Sequence, residues 1–260
     1  MRIHHLHGDS FIIESLDNVI LVDPMFSHSE HSVPFLFHKH ENKQVSPISK
    51  KSIEILNSVN HCLLTHLHGC GSTKKHDHFK MPGQEFLISN DIPITCKSRH
   101  ATCMNKKGFT VESTFDFWER TPFLNGFITA VPAPHGHGFI HKLMPKSAGL
   151  FLELPMEPSV YISGDTIYTH SVKEALIELQ PDLTIVSTGK TDTDLGGLLS
   201  MTMEEVISFI EESPKKVIAN HLDTLVNNIS RTALTYELEA KGLLEKVMIP
   251  EDGETVVIVA

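Results

Sequence analysis

Four short apolar runs in the chain each end in a side chain able to hold a metal ion. In LLTHLHGCGSTKKHDHF (63–79), His66 and His68 directly follow the run. Residues two apart on an extended backbone point to the same side, so both imidazoles can face one ion. His76, Asp77 and His78 come next and add nitrogen and oxygen donors. In VPAPHGHGF (131–139), His135 follows two prolines and sits among glycines that permit close backbone approach. VYISGDT (160–166) places Asp165 after a glycine, and VIANHLDT (217–224) ends its apolar run on His221. Taken singly, each has a plainer explanation: Asp165 as a helix N-cap, His135 or His221 as satisfied core histidines. Taken together they share a geometry, because each donor falls at the C-terminal end of a strand, the edge where ligands gather in layered α/β sheets.

Those donors need strands to carry them. Period-2 alternation or short buried runs predict strands at 11–14, 19–22, 61–65, 92–96, 127–131, 150–154, 160–163, 183–187, 216–219 and 255–259. Helices are expected between them. Residues 171–180 place Val172, Ala175, Leu176 and Leu179 on one face before Pro181. Residues 202–213 open with the capping-box pair Thr202 and Glu205 and close at Pro214. Residues 230–241 run from Ser230 to a C′ glycine, Gly242, and a weaker helix covers 49–58. The interleaving indicates an α/β or layered α+β protein. FIIESLDNVILVDP (11–24) and LFLELPMEPSVYISGDT (150–166) echo one another as strand, turn, strand, aspartate, which pairs Glu14 with Glu153 and Asp23 with Asp165. A fold of two similar halves would produce that pattern.

Composition narrows the classes. A chain of 260 residues can bury a sizeable core, and no Gly-, Ser- or Pro-rich linker divides it, so residues 1–260 read as one domain. Residues 27–50 read as one long surface loop. A net charge of -10 argues against a nucleic-acid backbone as the main partner. Four cysteines are too few for a disulfide scaffold. No apolar run approaches the roughly 20 residues that cross a bilayer, and MRIHHLHGDS lacks the pattern of a secretory signal. The expectation is a cytoplasmic protein acting on a small molecule, with homo-oligomers left open. His4, His5, His7 and Asp9 could reach the edge where these donors gather, but a solvated terminus is the better reading.

The order of these motifs resembles the metallo-β-lactamase superfamily, and especially its branch of ascorbate-6-phosphate lactonase-like metal-dependent hydrolases. The stretches that carry the likeness are VILVDPMFS (19–27), LLTHLH (63–68), PAPHGHG (132–138), VYISGDTIY (160–168), MTMEEV (201–206), ANHLDT (219–224) and PEDGETVVI (250–258). The resemblance implies an αββα sandwich, two mixed sheets flanked by helices, with one or two divalent ions at one edge. It implies that His66, His68 and His135 hold a first ion. Asp77, His78 and His221 would hold a second, with Asp165 bridging and Asp23 orienting ligands through hydrogen bonds. The chain departs from the family at one place: eight residues, Gly69 to His76, separate His68 from Asp77-His78, where the family has one. We read a seven-residue insertion. The ungapped alternative puts Cys70 at the aspartate position and leaves the second site impaired.

Zinc is expected first, with manganese or iron as alternatives. Such an ion lowers the pKa of bound water to about 7 and polarises the substrate, which implies hydrolysis of an ester, lactone or phosphoester. Asp77, Tyr168 and His137 are the catalytic candidates, the last two for protonating a leaving group. A phosphodiesterase or nuclease is the alternative enzyme, and a non-catalytic metal-binding sensor the alternative class.

Overall fold

The structure is a computed structural model that describes residues 1–24, 26, 50–67, 81–138, 146–189, 198–223 and 229–259. Its first half opens on a meander: β1 (Arg2–His7), β2 (Ser10–Ser15) and β3 (Asn18–Val22) pair antiparallel. β3 then continues in parallel with β4 (His61–Leu63), β5 (Ile94–Lys97) and β6 (Val111–Phe115). Helices α1 (Lys50–Leu56), α2 (Met81–Ser89) and α3 (Ser98–Lys106) precede or link those parallel strands.

The second half repeats the plan. β7 (Arg120–Phe123), β8 (Gly126–Pro134), β9 (Lys146–Glu153) and β10 (Val160–Ile162) pair antiparallel. β10 then runs parallel to β11 (Leu183–Ser187), and the parallel run continues through β12 (Lys216–Asn220) to β13 (Val247–Met248). Helices α4 (His170–Leu179), α5 (Met203–Glu212) and α6 (Arg231–Ala240) fall between them. The last strand, β14 (Thr255–Val257), crosses back to pair with β1, giving two seven-stranded sheets, β14-β1-β2-β3-β4-β5-β6 and β13-β12-β11-β10-β9-β8-β7. The echoed segments are thus β2–β3 and β9–β10, the places where each sheet turns from antiparallel to parallel pairing.

Side-chain alternation explains the layering. On β2, Phe11 and Ile13 enter the core between the sheets, while Ile12 points the other way, to the layer holding Leu56, Leu87 and Met104 of α1, α2 and α3. On β10, Val160 and Ile162 face the inter-sheet core and Tyr161 faces Val172, Leu176 and Phe209 of α4 and α5. Each such Ile, Leu or Phe contributes roughly 1.5–3 kcal/mol on burial. These strands are apolar on both faces because both are covered. The result is two mixed sheets packed face to face with helices outside, the αββα order.

Helix boundaries follow their caps. Thr202 accepts from the Glu205 amide and Glu205 reaches back to the Thr202 amide, so the expected capping box starts α5. Ser230 caps α6, and Gly242 beyond it has φ +68°. Four strands (β1, β6, β7, β13) and two helices (α2, α3) lie where no element was expected. α2 opens on Met81-Pro82-Gly83, which reads as a turn, and α3 is polar overall, its buried residues being His100 and Met104. No described helix is long and apolar enough to cross a membrane.

Candidate metal centre

The cluster forms where the C-terminal ends of β4, β8, β10 and β12 meet. The His66 and His135 rings stack with centroids 6.4 Å apart. The His135 Nδ1–H donates to the Asp165 carbonyl at 3.1 Å, and His221 Nδ1 lies 3.3 Å from Asp165 Oδ1. Ser187, at the end of β11, donates to Asp165 Oδ1 at 2.5 Å and lies 3.3 Å from His221 Nδ1. All four predicted donors that are described, His66, His135, Asp165 and His221, are therefore brought together. His68, Asp77, His78 and Cys70 fall outside the described residues.

Hydrogen bonds set which ring nitrogen faces inward. Thr65 gives its hydroxyl proton to Asp23 Oδ2 at 2.5 Å and its amide proton to Asp23 Oδ1 at 2.9 Å. The Thr65 oxygen, 2.8 Å from His66 Nδ1, is left to accept from it. A carbonyl only accepts, so His135 Nδ1 also carries its proton. In both rings the lone pair then sits on Nε2, the arrangement that presents imidazole to a cation. Asp23, expected to orient ligands from below, reaches His66 through the Thr65 hydroxyl.

Burial shapes the charges. It pushes the Asp23 carboxyl up to about 7, against the pull of His66, and Asp9 pushes the same way. Burial brings His135 down to about 4, so its imidazole is neutral at neutral pH. For Asp165, burial raises the carboxyl, but the His221, His135 and His66 imidazoles outweigh it and hold the group well below the usual range.

Asp9, which was expected in a solvated terminus, lies at the cluster. One ligand atom each from Asp9, His66 and Asp165 lie within 4.8 Å of one another. The solvated terminus that was expected is instead interior: His4, His5, His7 and Asp9 are all at most 9% exposed. β1 is buried because β14 and β2 flank it, a pairing between the two ends of the chain that local pattern does not reveal. A Gly-Asp-Ser turn is also ordinary turn chemistry, so the signal in Gly8-Asp9-Ser10 was ambiguous. Two carboxylates at that separation repel by about 3 kcal/mol at an effective dielectric of about 20. A divalent cation among them turns that repulsion into attraction, and the donors, imidazole nitrogen and carboxylate oxygen, suit such an ion.

The proton-donor candidates are placed differently. His137 Nε2 lies 3.1 Å from Glu205 Oε2, at the N-terminus of α5. Tyr168 donates to Glu212 at 2.8 Å and packs edge-on against Phe209, so its hydroxyl is engaged in the helix layer. The structure does not join Tyr168 to the cluster.

Two glycines make room. Gly164, at φ +61°, lets the chain turn toward Asp165 beside Thr65. At Gly189 any Cβ would sit 2.3 Å from His221 Nδ1.

Two sheets of the same strand plan, with donors at one shared edge, match solved structures over their full length. A possible metal-dependent hydrolase from Veillonella parvula DSM 2008 superposes with a TM-score of 0.85 at 21% identity, covering 99% of both chains. An isothiocyanate hydrolase from Delia radicum gut bacteria gives a TM-score of 0.82 at 22% identity over 100% of both chains. The fold is the metallo-β-lactamase fold. Among curated proteins, the UPF0173 protein YddR of Bacillus subtilis (strain 168) is 23% identical over 261 residues, spanning 98% of this chain and 99% of its own. No protein-family model matches the chain. In metallo-β-lactamase-fold terms, the edge that holds His66, His135, Asp165 and His221 joins both halves, since β4 belongs to one sheet and β8, β10 and β12 to the other.

Proposed function

We propose that this chain is a metal-dependent hydrolase of a small electrophilic molecule, working at the edge formed by His66, His135, Asp165 and His221. The observation that carries the reading is the orientation of the rings: His66 and His135 each commit Nδ1 to a hydrogen bond, which puts the lone pair on Nε2. A bound divalent ion would supply Lewis acidity toward water and toward the substrate's electrophilic centre. Zinc, with manganese or iron as alternatives, fits these donors, in one site or, with Asp77 and His78, two.

The chain's own residues divide the remaining work. Asp165 is held as a carboxylate by the imidazoles around it and can orient an incoming water. Asp23 and Thr65 hold the His66 ring. His137, beside His135 and partly exposed, can pass a proton to the leaving group, with Glu205 aligning its ring. Tyr168 is the weaker candidate for that step, because its hydroxyl already donates its hydrogen bond to Glu212. Asp77 stays as a further candidate in the same reading.

For substrate class, the motif likeness supports an ester, lactone or phosphoester, with the lactonase-like branch as the finer assignment. The isothiocyanate hydrolase neighbour adds another electrophilic carbon to the set. The test is a panel of an aryl ester, a lactone, a bis-aryl phosphate and an isothiocyanate, run on chelator-stripped protein before and after reloading with zinc or manganese. Turnover of one class that needs the ion and is abolished in His135→Ala supports the reading. Stoichiometric metal binding with no turnover of any class would favour the sensor alternative, and no metal binding at all would refute both.

A further inference from the structure

The first sheet contributes a loop to this centre from a place no metal motif marks. The turn between β1 and β2 leans across to the end of β12: the His221 amide donates to the Gly8 carbonyl at 2.9 Å, and Asn220 Nδ2 donates to the Asp9 carbonyl at 3.1 Å. Gly8, at φ +60°, lets the chain reverse there. Ser10 closes the other side of the turn by donating to the Asp23 carbonyl at 2.6 Å. These three bonds hold the Asp9 backbone between the two sheets, and the residue, only 6% exposed, lies beside His66 and Asp165. Two buried carboxylates this close repel unless a proton or a cation is shared between them, and the His66 imidazole that completes the group suits a cation.

We propose that Asp9 is a ligand of the same ion as His66 and Asp165, so that this centre carries two carboxylates, one from each sheet. The inference rests on the reading of the cluster as a metal centre. It also changes which ion the centre prefers. Imidazoles with a single carboxylate are a set that zinc shares comfortably, whereas each added carboxylate oxygen shifts relative affinity toward manganese and iron(II). A ligand from the β1–β2 turn also makes metal binding hold the first sheet against the second, so the ion stabilises the folded chain as a whole.

The test compares chelator-stripped wild type with Asp9→Asn and Asp165→Asn, titrated separately with Mn2+ and Zn2+ by calorimetry, with thermal melts recorded with and without each ion. Asn keeps the shape of Asp9 and removes its charge, so apo Asp9→Asn should melt at or above apo wild type, because repulsion has been relieved. It should lose about tenfold or more in Mn2+ affinity, since even partners outside the coordination sphere are worth 10–100-fold. The loss for Zn2+ should be smaller, and the metal-induced rise in melting temperature should shrink. Asp9→Asn binding both ions as wild type does, while Asp165→Asn loses them, would overturn the role of Asp9 and leave the metal centre standing. Wild type binding neither ion would overturn the underlying reading itself. Should apo Asp9→Asn melt well below apo wild type, with unchanged metal affinity, Asp9 would be a structural residue of the turn and the proposal would fail.

Discussion

Substituting Gly189 by alanine tests the position of His221 without touching a donor. A Cβ built there lies 2.3 Å from His221 Nδ1, 2.7 Å from Cε1 and 2.8 Å from Cγ. Ordinary contact between such atoms is about 3.5 Å, so the ring must retreat by about 1 Å. Its backbone cannot easily follow, because His221 is at φ +63° and its amide is bonded to Gly8 across the sheets. The ring would therefore move relative to Asp165 and Ser187, each now 3.3 Å from Nδ1. Gly189 itself does not use a left-handed conformation, so alanine adds no backbone strain and the effect is purely steric. Overpacking of this kind costs about 1–3 kcal/mol of stability, and a 1 Å displacement at a reacting centre costs on the order of 100-fold in rate. The assay is thermal melting together with metal titration, followed by turnover on whichever substrate class the panel identifies. Wild-type metal affinity in Gly189→Ala, with the His221 ring unmoved in a structure of the variant, would refute the claim that this ring is held in place by the glycine.

Thr65→Val keeps the shape of the side chain but breaks the relay from Asp23 to His66; about 1–3 kcal/mol of stability and 10–100-fold of metal affinity should be lost, both read by metal-dependent melting. His100, at the core of α3, has its imidazole brought down to about 4 by burial, with Arg99 and Lys97 adding to it. The unfolded chain binds that proton below about 6.5 while the folded chain refuses it until about 4, so stability falls as pH drops through this window. His100→Gln should flatten the stability-versus-pH curve there by up to one proton's worth of slope, and an unchanged curve would exclude His100 as a contributor. If seven of the eight residues between His68 and Asp77 are an insertion, Asp77→Ala should remove one ion per chain in a metal assay; loss in Cys70→Ala instead would favour the ungapped alternative.

The sequence alone determined the elements that carry the donors. Local chemistry is enough for that: apolar alternation or short buried runs marked β2–β5, β8–β12 and β14, and Thr202 with Glu205 marked the start of α5. The halved architecture was visible too, because β2–β3 and β9–β10 solve the same packing problem and so use similar residues. His66, His135, Asp165 and His221 could be picked out because each ends a recognisable strand. Asp9 could not. Its burial there depends on β14 pairing with β1 from the opposite end of the chain, and on the β1–β2 turn bonding to β12. A contact between opposite ends of the chain leaves no periodicity in either segment. Tyr168 shows the reverse case: a residue three positions from Asp165 looks close in sequence, yet the turn into α4 carries its hydroxyl to Glu212. Which donors share a cavity is decided by where the sheets dock, and that depends on long-range packing that no single segment encodes.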